Sequence, residues 1–190
     1  MDVIKDKGKV IRFDEQIYQT SPLYITCDKY WDGGIRTDST LKVKAEFYTL
    51  ATRMSDIIKE IIQVFNEEVI VGKPFCEYEE IYARWSHLKS YELFREISET
   101  IRKNKIYKLT LPEDSDIIDL IVESNFRYFT YISLYLPASK IIIQPTCHTE
   151  ILVYSMCNDL IFDAIEEAVK THSDKVIEIK VKKVQEETCV

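Results

Sequence analysis

The sequence predicts an α+β fold in which amphipathic helices pack on a mixed or antiparallel β-sheet. Two hydrophobic patterns support this prediction. From Ser39 to about Glu67, apolar residues recur at helical spacing, which indicates one long helix with a single buried face. After Lys105, short strand-like runs alternate with helical segments, so the C-terminal half is predicted to be β-α-β-β-β-α-β.

Length and composition favour a single globular domain that spans residues 1–190. The chain has 190 residues, of which 46% are hydrophobic, and a chain of this length buries roughly 70% of its unfolded surface. No Pro/Gly-rich linker separates an N-terminal region of strands and helices, residues 1–104, from a sheet-containing C-terminal region, residues 105–190. We therefore expect the two regions to share one core.

The N-terminal region is predicted to begin with two short strands and to continue mainly as helix. The strands are Lys9–Phe13 and Pro22–Cys27, followed by a turn at Asp32–Gly34. The long helix from Ser39 has its polar residues, Lys42, Glu46, Arg53, Asp56 and Glu60, opposite the apolar stripe. Two more helices are predicted at Tyr78–Trp85 and from a Ser90 cap to Asn104.

The C-terminal region contains the alternating strands and helices. In order, these are a strand at Ile106–Leu111, a helix from Pro112 to about Ser124, strands at Phe126–Leu136, Lys140–Gln144 and Glu150–Ser155, a helix from Asn158 to Thr171, and a strand with Ile177, Ile179 and Val181 facing inward. Asp116 and Asp119 share one face of the first of these helices.

The stretch FRYFTYISLYLP, which begins at Phe126, alternates apolar residues on one face with an unusual second face. That second face has Arg127, Phe129, Tyr131 and Tyr135. A central strand covered on both sides explains the pattern, since such strands are apolar on both faces. The alternative is a concave ligand or partner surface formed by Phe129, Tyr131 and Tyr135, with Arg127 at its edge.

Cys147 and His148 are the candidate catalytic residues, because a thiolate nucleophile needs a base within hydrogen-bond reach. Neighbours on a strand point to opposite faces, so the two can cooperate only in a turn, which Pro145-Thr146 makes plausible. The alternative is one buried cysteine and one polar turn residue. Cysteine and histidine spacing does not match a zinc site, and no cofactor motif is present, so we predict no metal and no cofactor.

The segment GGIRTDST precedes the long helix and contains a candidate anion site. Free amides at a helix N-terminus attract anions, and Arg36 and Thr37 could add contacts. Asp32 and Asp38 would repel a phosphate, and the spacing matches neither a P-loop nor a dinucleotide fingerprint. An ordinary glycine turn and helix cap is the alternative.

Charge and cysteine content limit the classes of partner and the compartment. The net charge is −7, and the densest basic group, Lys180, Lys182 and Lys183, is too small to bind phosphates, so no nucleic-acid binding is expected. The N-terminus lacks an apolar signal-peptide region, and no run of 18 apolar residues exists, so no membrane association is expected. Five irregularly spaced cysteines suit reduced thiols, which predicts a cytoplasmic protein.

Two classes of function fit these observations. The first is a non-enzymatic cytosolic binding protein, such as an inhibitor or immunity-type protein that neutralises a basic partner. The second is a small-molecule-binding protein or small enzyme that uses an aromatic-lined pocket with Cys147/His148 or Arg36. The absence of a catalytic constellation favours the first. Residues 175–184 also predict homo-oligomer formation through an edge strand, which Lys180, Lys182 and Lys183 oppose.

Overall fold

The computed structural model of the chain describes residues 15–27, 41–72, 107–127, 131–156, 158–174 and 177–183, with the isolated positions Glu92, Arg95 and Glu99. Several predicted features lie outside these residues. They are the strand Lys9–Phe13, the turn Asp32–Gly34, the helix Tyr78–Trp85, most of the helix Ser90–Asn104, and the candidate site residues Arg36, Thr37 and Phe129.

Four helices and seven strands make up the described portion of the chain, and they form an α+β fold as the sequence predicts. In chain order they are α1 Glu15–Tyr18, β1 Leu23–Cys27, α2 Leu41–Phe65, β2 Val69–Val71, β3 Tyr107–Leu109, α3 Ser115–Phe126, β4 Leu134–Leu136, β5 Ile141–Pro145, β6 Ile151–Ser155, α4 Asn158–His172 and β7 Ile179–Lys183. The predicted C-terminal order β-α-β-β-β-α-β is confirmed.

The seven strands form one antiparallel sheet with the order β3-β2-β4-β5-β6-β1-β7. The two strands from the N-terminal region are placed inside this order. β1 pairs with both β6 and β7, and β2 pairs with both β3 and β4. The described residues of the two regions therefore contribute neighbouring strands to the same sheet.

One face of the sheet is covered by α2, α3 and α4, which we call the helix layer. α2 contacts both α3 and α4, and its apolar stripe, including Phe47, Met54 and Ile61, is buried. Alternate strand residues such as Leu134 and Ile143 complete this larger core. Each fully buried side chain of this size contributes about 1.5–3 kcal/mol, so the packing of this face is the main source of stability.

The opposite face of the sheet has a smaller core beside the short helix α1. Ile17 of α1 packs with Ile70, Tyr135 and Ile142, and Tyr154 lies against them. These strand residues alternate with those of the larger core, because successive side chains of a strand point to opposite faces. Tyr135 is therefore on the side of the sheet away from the helix layer.

The predicted strand Phe126–Leu136 is wrong at Phe126 and at residues 131–133, while residues 128–130 lie outside the described part of the chain. α3 continues through Phe126, whose side chain is fully buried, and only Leu134–Leu136 pair as β4. The alternation of apolar residues resembled a strand, but the larger core buries Phe126 in the last turn of α3. Helix packing therefore overrides a local pattern that had period two.

Strand β2 is a second difference, because the sequence does not predict it. Val69–Val71 is too short a run to show a period, and β2 is held on one side by β3 and on the other by β4.

Within the described residues, no helix is long and apolar enough to cross a membrane. α2 is long, but its charged face rules it out as a membrane span.

Candidate functional site

The β5–β6 turn brings several sequence-predicted residues to one end of the sheet, which we call the hairpin end. Cys147 and His148 lie in this turn, Tyr131 lies just before β4, and Arg127 follows α3. The directions of the strands explain the grouping. β5 runs toward the turn and β4 runs away from it, with Leu134 opposite Ile143.

The turn meets the condition that the candidate pair Cys147 and His148 requires, since neither residue is in a strand. The Thr146 amide donates to the Glu150 carbonyl at 2.8 Å, and the His148 amide donates to Thr146 Oγ1 at 3.2 Å. Thr149 has a φ of 58° and is buried. Positive φ is unfavourable for a β-branched residue, so the surrounding contacts hold the turn in a strained conformation.

The Cys147 thiol contacts a phenol at the hairpin end. Cys147 Sγ lies 3.4 Å from Tyr131 Oη, and Cys147 is half-buried while His148 is exposed. A phenol at neutral pH is not a base, so this contact orients the sulfur but does not by itself activate it. Two residues that the sequence analysis assigned to the alternative aromatic-lined pocket, Tyr131 and Cys147, are thus brought together.

Asn125 joins the strands at the hairpin end with a buried amide. Its Nδ2 donates to the Ile132 carbonyl at 2.8 Å and to the Pro145 carbonyl at 2.9 Å, and its Oδ1 accepts from the Ile132 amide at 3.1 Å. Asn125 is fully buried. The side chain therefore continues the β4–β5 ladder past the last paired residues, and it fixes the segment that presents Tyr131.

Arg127 connects α3 to α2 and is buried. Its Nε donates to Glu123 Oε1 at 2.8 Å, and its Nη2 donates to Tyr48 Oη at 2.6 Å. The guanidinium carbon lies 5.0 Å from the ring centroid of Phe47 and 5.2 Å from that of Tyr48. The side chain is only 3% exposed, so the positive charge of Arg127 interacts with groups of the protein and hardly with solvent.

The surface predicted from FRYFTYISLYLP is therefore not formed by one strand face. Arg127 contacts the helix layer on one side of the sheet, and Tyr135 belongs to the smaller core on the other side. Tyr131 is at the hairpin end beside Cys147. The strand on which this prediction was based begins at Leu134, and Phe129 lies outside the described residues, so the ligand or partner surface stays a prediction.

Ion pairs of the helix layer follow a common arrangement. Three join a cation to a carboxylate at 2.6–2.8 Å: Arg53–Asp174, Lys59–Asp119 and Arg127–Glu123. In each pair the cationic side chain is less exposed than its carboxylate, with exposures of 3–23% for the cations and 21–47% for the carboxylates. His172 Nε2 also lies 2.9 Å from Glu60 Oε1.

Local contacts explain why the cations are held below the carboxylates. Lys59 also contacts Asp56 at 3.4 Å, so its ammonium group lies between two carboxylates. Hydrogen bonding to Asp174 raises the pKa of Arg53, because the bond favours the charged guanidinium. Lys42 and Lys170 are exposed, but each is paired within its own helix, and α3 itself contains no lysine or arginine.

The solvent-facing side of α3 is wholly acidic. Between Asp116 and Glu123, every residue except Asp116, Asp119 and Glu123 is buried. These three positions are separated by three and four residues, so they form one stripe along the helix. The sequence predicted that Asp116 and Asp119 share a face of the helix. It did not predict that Lys59 and Arg127 would be less exposed than the carboxylates that they pair with.

Tyrosines on the opposite face of the sheet have perturbed ionisation. Burial raises the pKa of Tyr18, an effect that its 3.4 Å hydrogen bond to Ser133 Oγ partly opposes. Burial also raises the pKa of Tyr154, and the nearby Tyr24 and Tyr18 raise it further. The rings of Tyr18 and Tyr154 meet edge to face with centroids 5.1 Å apart.

Neither metal-ligand geometry nor similarity to known proteins assigns a function to the described residues. Among them, no group of three or more His, Cys, Asp or Glu side chains is placed to hold a metal ion. No family model, curated protein or solved structure matches the chain. The geometry of the helix layer and of the hairpin end is therefore the basis for assigning a function.

Proposed function

We propose that this protein is a non-enzymatic cytosolic binding protein that holds a basic protein partner against the outer surface of its helix layer, as an inhibitor or immunity-type protein does. The observation that carries the proposal is the arrangement of the ion pairs, in which each cation is less exposed than the carboxylate that it pairs with. The net charge of −7 also attracts a basic partner, and it does so over a longer distance than the individual carboxylates do.

Physical chemistry supports a role in binding more than a role in stability. Half-exposed ion pairs contribute only about 0–1 kcal/mol to folding, because water screens them and ordering the side chains costs entropy. Carboxylates held by less exposed cations are nevertheless preorganised, so binding of a basic partner costs little entropy in ordering them. Complementary charge also increases the association rate and makes it salt-dependent.

The experiment is native mass spectrometry of the protein purified from its own host at low and moderate salt. We expect a basic protein that co-purifies at low salt and dissociates as salt rises. Two variants with the same change in net charge test the surface. Asp116→Lys with Glu167→Lys alters exposed positions of the helix layer, and Glu68→Lys with Glu178→Lys alters exposed positions outside it.

The comparison of these two double variants decides between a surface and a general charge effect. We expect the first to lose the partner and the second to retain it at the same salt concentration. Equal loss in both would assign the binding to net charge alone. Retention by both would contradict the proposal that the helix layer is the binding surface.

A second candidate function rests on the contact between Cys147 Sγ and Tyr131 Oη at 3.4 Å. In this alternative the hairpin end is a small-molecule or catalytic site, with His148 as an exposed acid–base group. A Cys147 that alkylates at least about tenfold faster than Cys27 at neutral pH would support it, since reactivity follows the thiolate fraction. Equal, slow alkylation of both half-buried thiols would remove it.

A further inference from the structure

We draw no further inference here: the strongest candidate, the patch of exposed lysines Lys180, Lys182 and Lys183 on β7 at the edge of the described sheet, carries no proposal, because lysines ordinarily keep an edge strand from pairing and nothing among the described residues shows what covers this edge.

Discussion

The hairpin end and the outer surface of the helix layer use polar side chains in opposite ways. At the hairpin end, Asn125 and Arg127 are buried, and their hydrogen bonds join separate elements of the chain. On the helix layer, the carboxylate of Asp119 is half-exposed, and its partner Lys59 is less exposed. Loss of a buried hydrogen-bond partner leaves desolvated groups unsatisfied, whereas an exposed carboxylate is rehydrated. The polar side chains of the first region therefore fix the geometry of the fold, whereas those of the second remain in contact with solvent.

The largest expected effect is at Asn125. Replacing it with alanine leaves the Ile132 amide and two carbonyls without their partner in a buried setting, so we expect a loss of about 3 kcal/mol in the free energy of unfolding. Urea unfolding measures this value. Gln63→Ala, at an exposed position of α2, should stay within about 0.5 kcal/mol. A similar small effect of both changes would refute the role given to Asn125.

Arg127 should give the next largest effect. Arg127→Met keeps much of the side-chain volume but removes the bonds to Glu123 and Tyr48, and we expect a loss of about 2 kcal/mol. Lys170→Met removes an exposed cation paired within α4, and its effect should be under about 0.5 kcal/mol. Chemical denaturation of both variants makes the comparison, and equal losses would contradict the distinction between buried and exposed pairs.

Lys59 tests a cation that lies under the acidic surface. Lys59→Met should cost only about 1 kcal/mol in unfolding free energy, because Asp56 and Asp119 are exposed enough to be rehydrated. Urea unfolding measures this value, and a loss as large as that of Arg127→Met would contradict the distinction between exposed and buried pairs.

The smallest expected effect concerns the tyrosines on the opposite face of the sheet and appears only at high pH. Because the pKa values of Tyr18 and Tyr154 are raised in the folded state, the unfolded chain ionises first as pH rises. Their contribution to stability is therefore complete below about pH 10 and decreases above it. Unfolding midpoints from about pH 8 to about pH 11 should fall less steeply in Tyr18→Phe. An unchanged pH dependence in that variant would exclude Tyr18 as a source.

Most strands and helices that the structure describes were predictable, and the failures have identifiable causes. Long segments such as α2 were recognisable because their apolar residues repeat over many turns. β2 was not, since three residues show no period. Phe126 was assigned to a strand because its apolar neighbours alternate, although its burial in the core makes it the end of α3. The domain assignment for residues 1–190 and oligomer formation through 175–184 remain predictions for limited proteolysis and light scattering.

The candidate surface was predictable only in outline. The shared face of Asp116 and Asp119 and the polar face of α2 follow from helical spacing within one segment. The contacts of Lys59 with Asp119 and of Arg127 with Tyr48 depend on how α3 lies against α2, and spacing within one helix contains no such information. The pairing of Tyr131 with Cys147 likewise requires β4 and β5 to be neighbours.

The sequence by itself therefore determined the composition of the elements, the acidic charge and the polar faces of the helices, because these depend on residues close together in the chain. The tertiary structure decided which charged side chains are exposed, which tyrosines are exposed and which cysteine contacts a phenol. Those properties depend on burial and on pairs of residues far apart in sequence, such as Arg127 with Tyr48, and only the packing of the helices on the sheet brings them together.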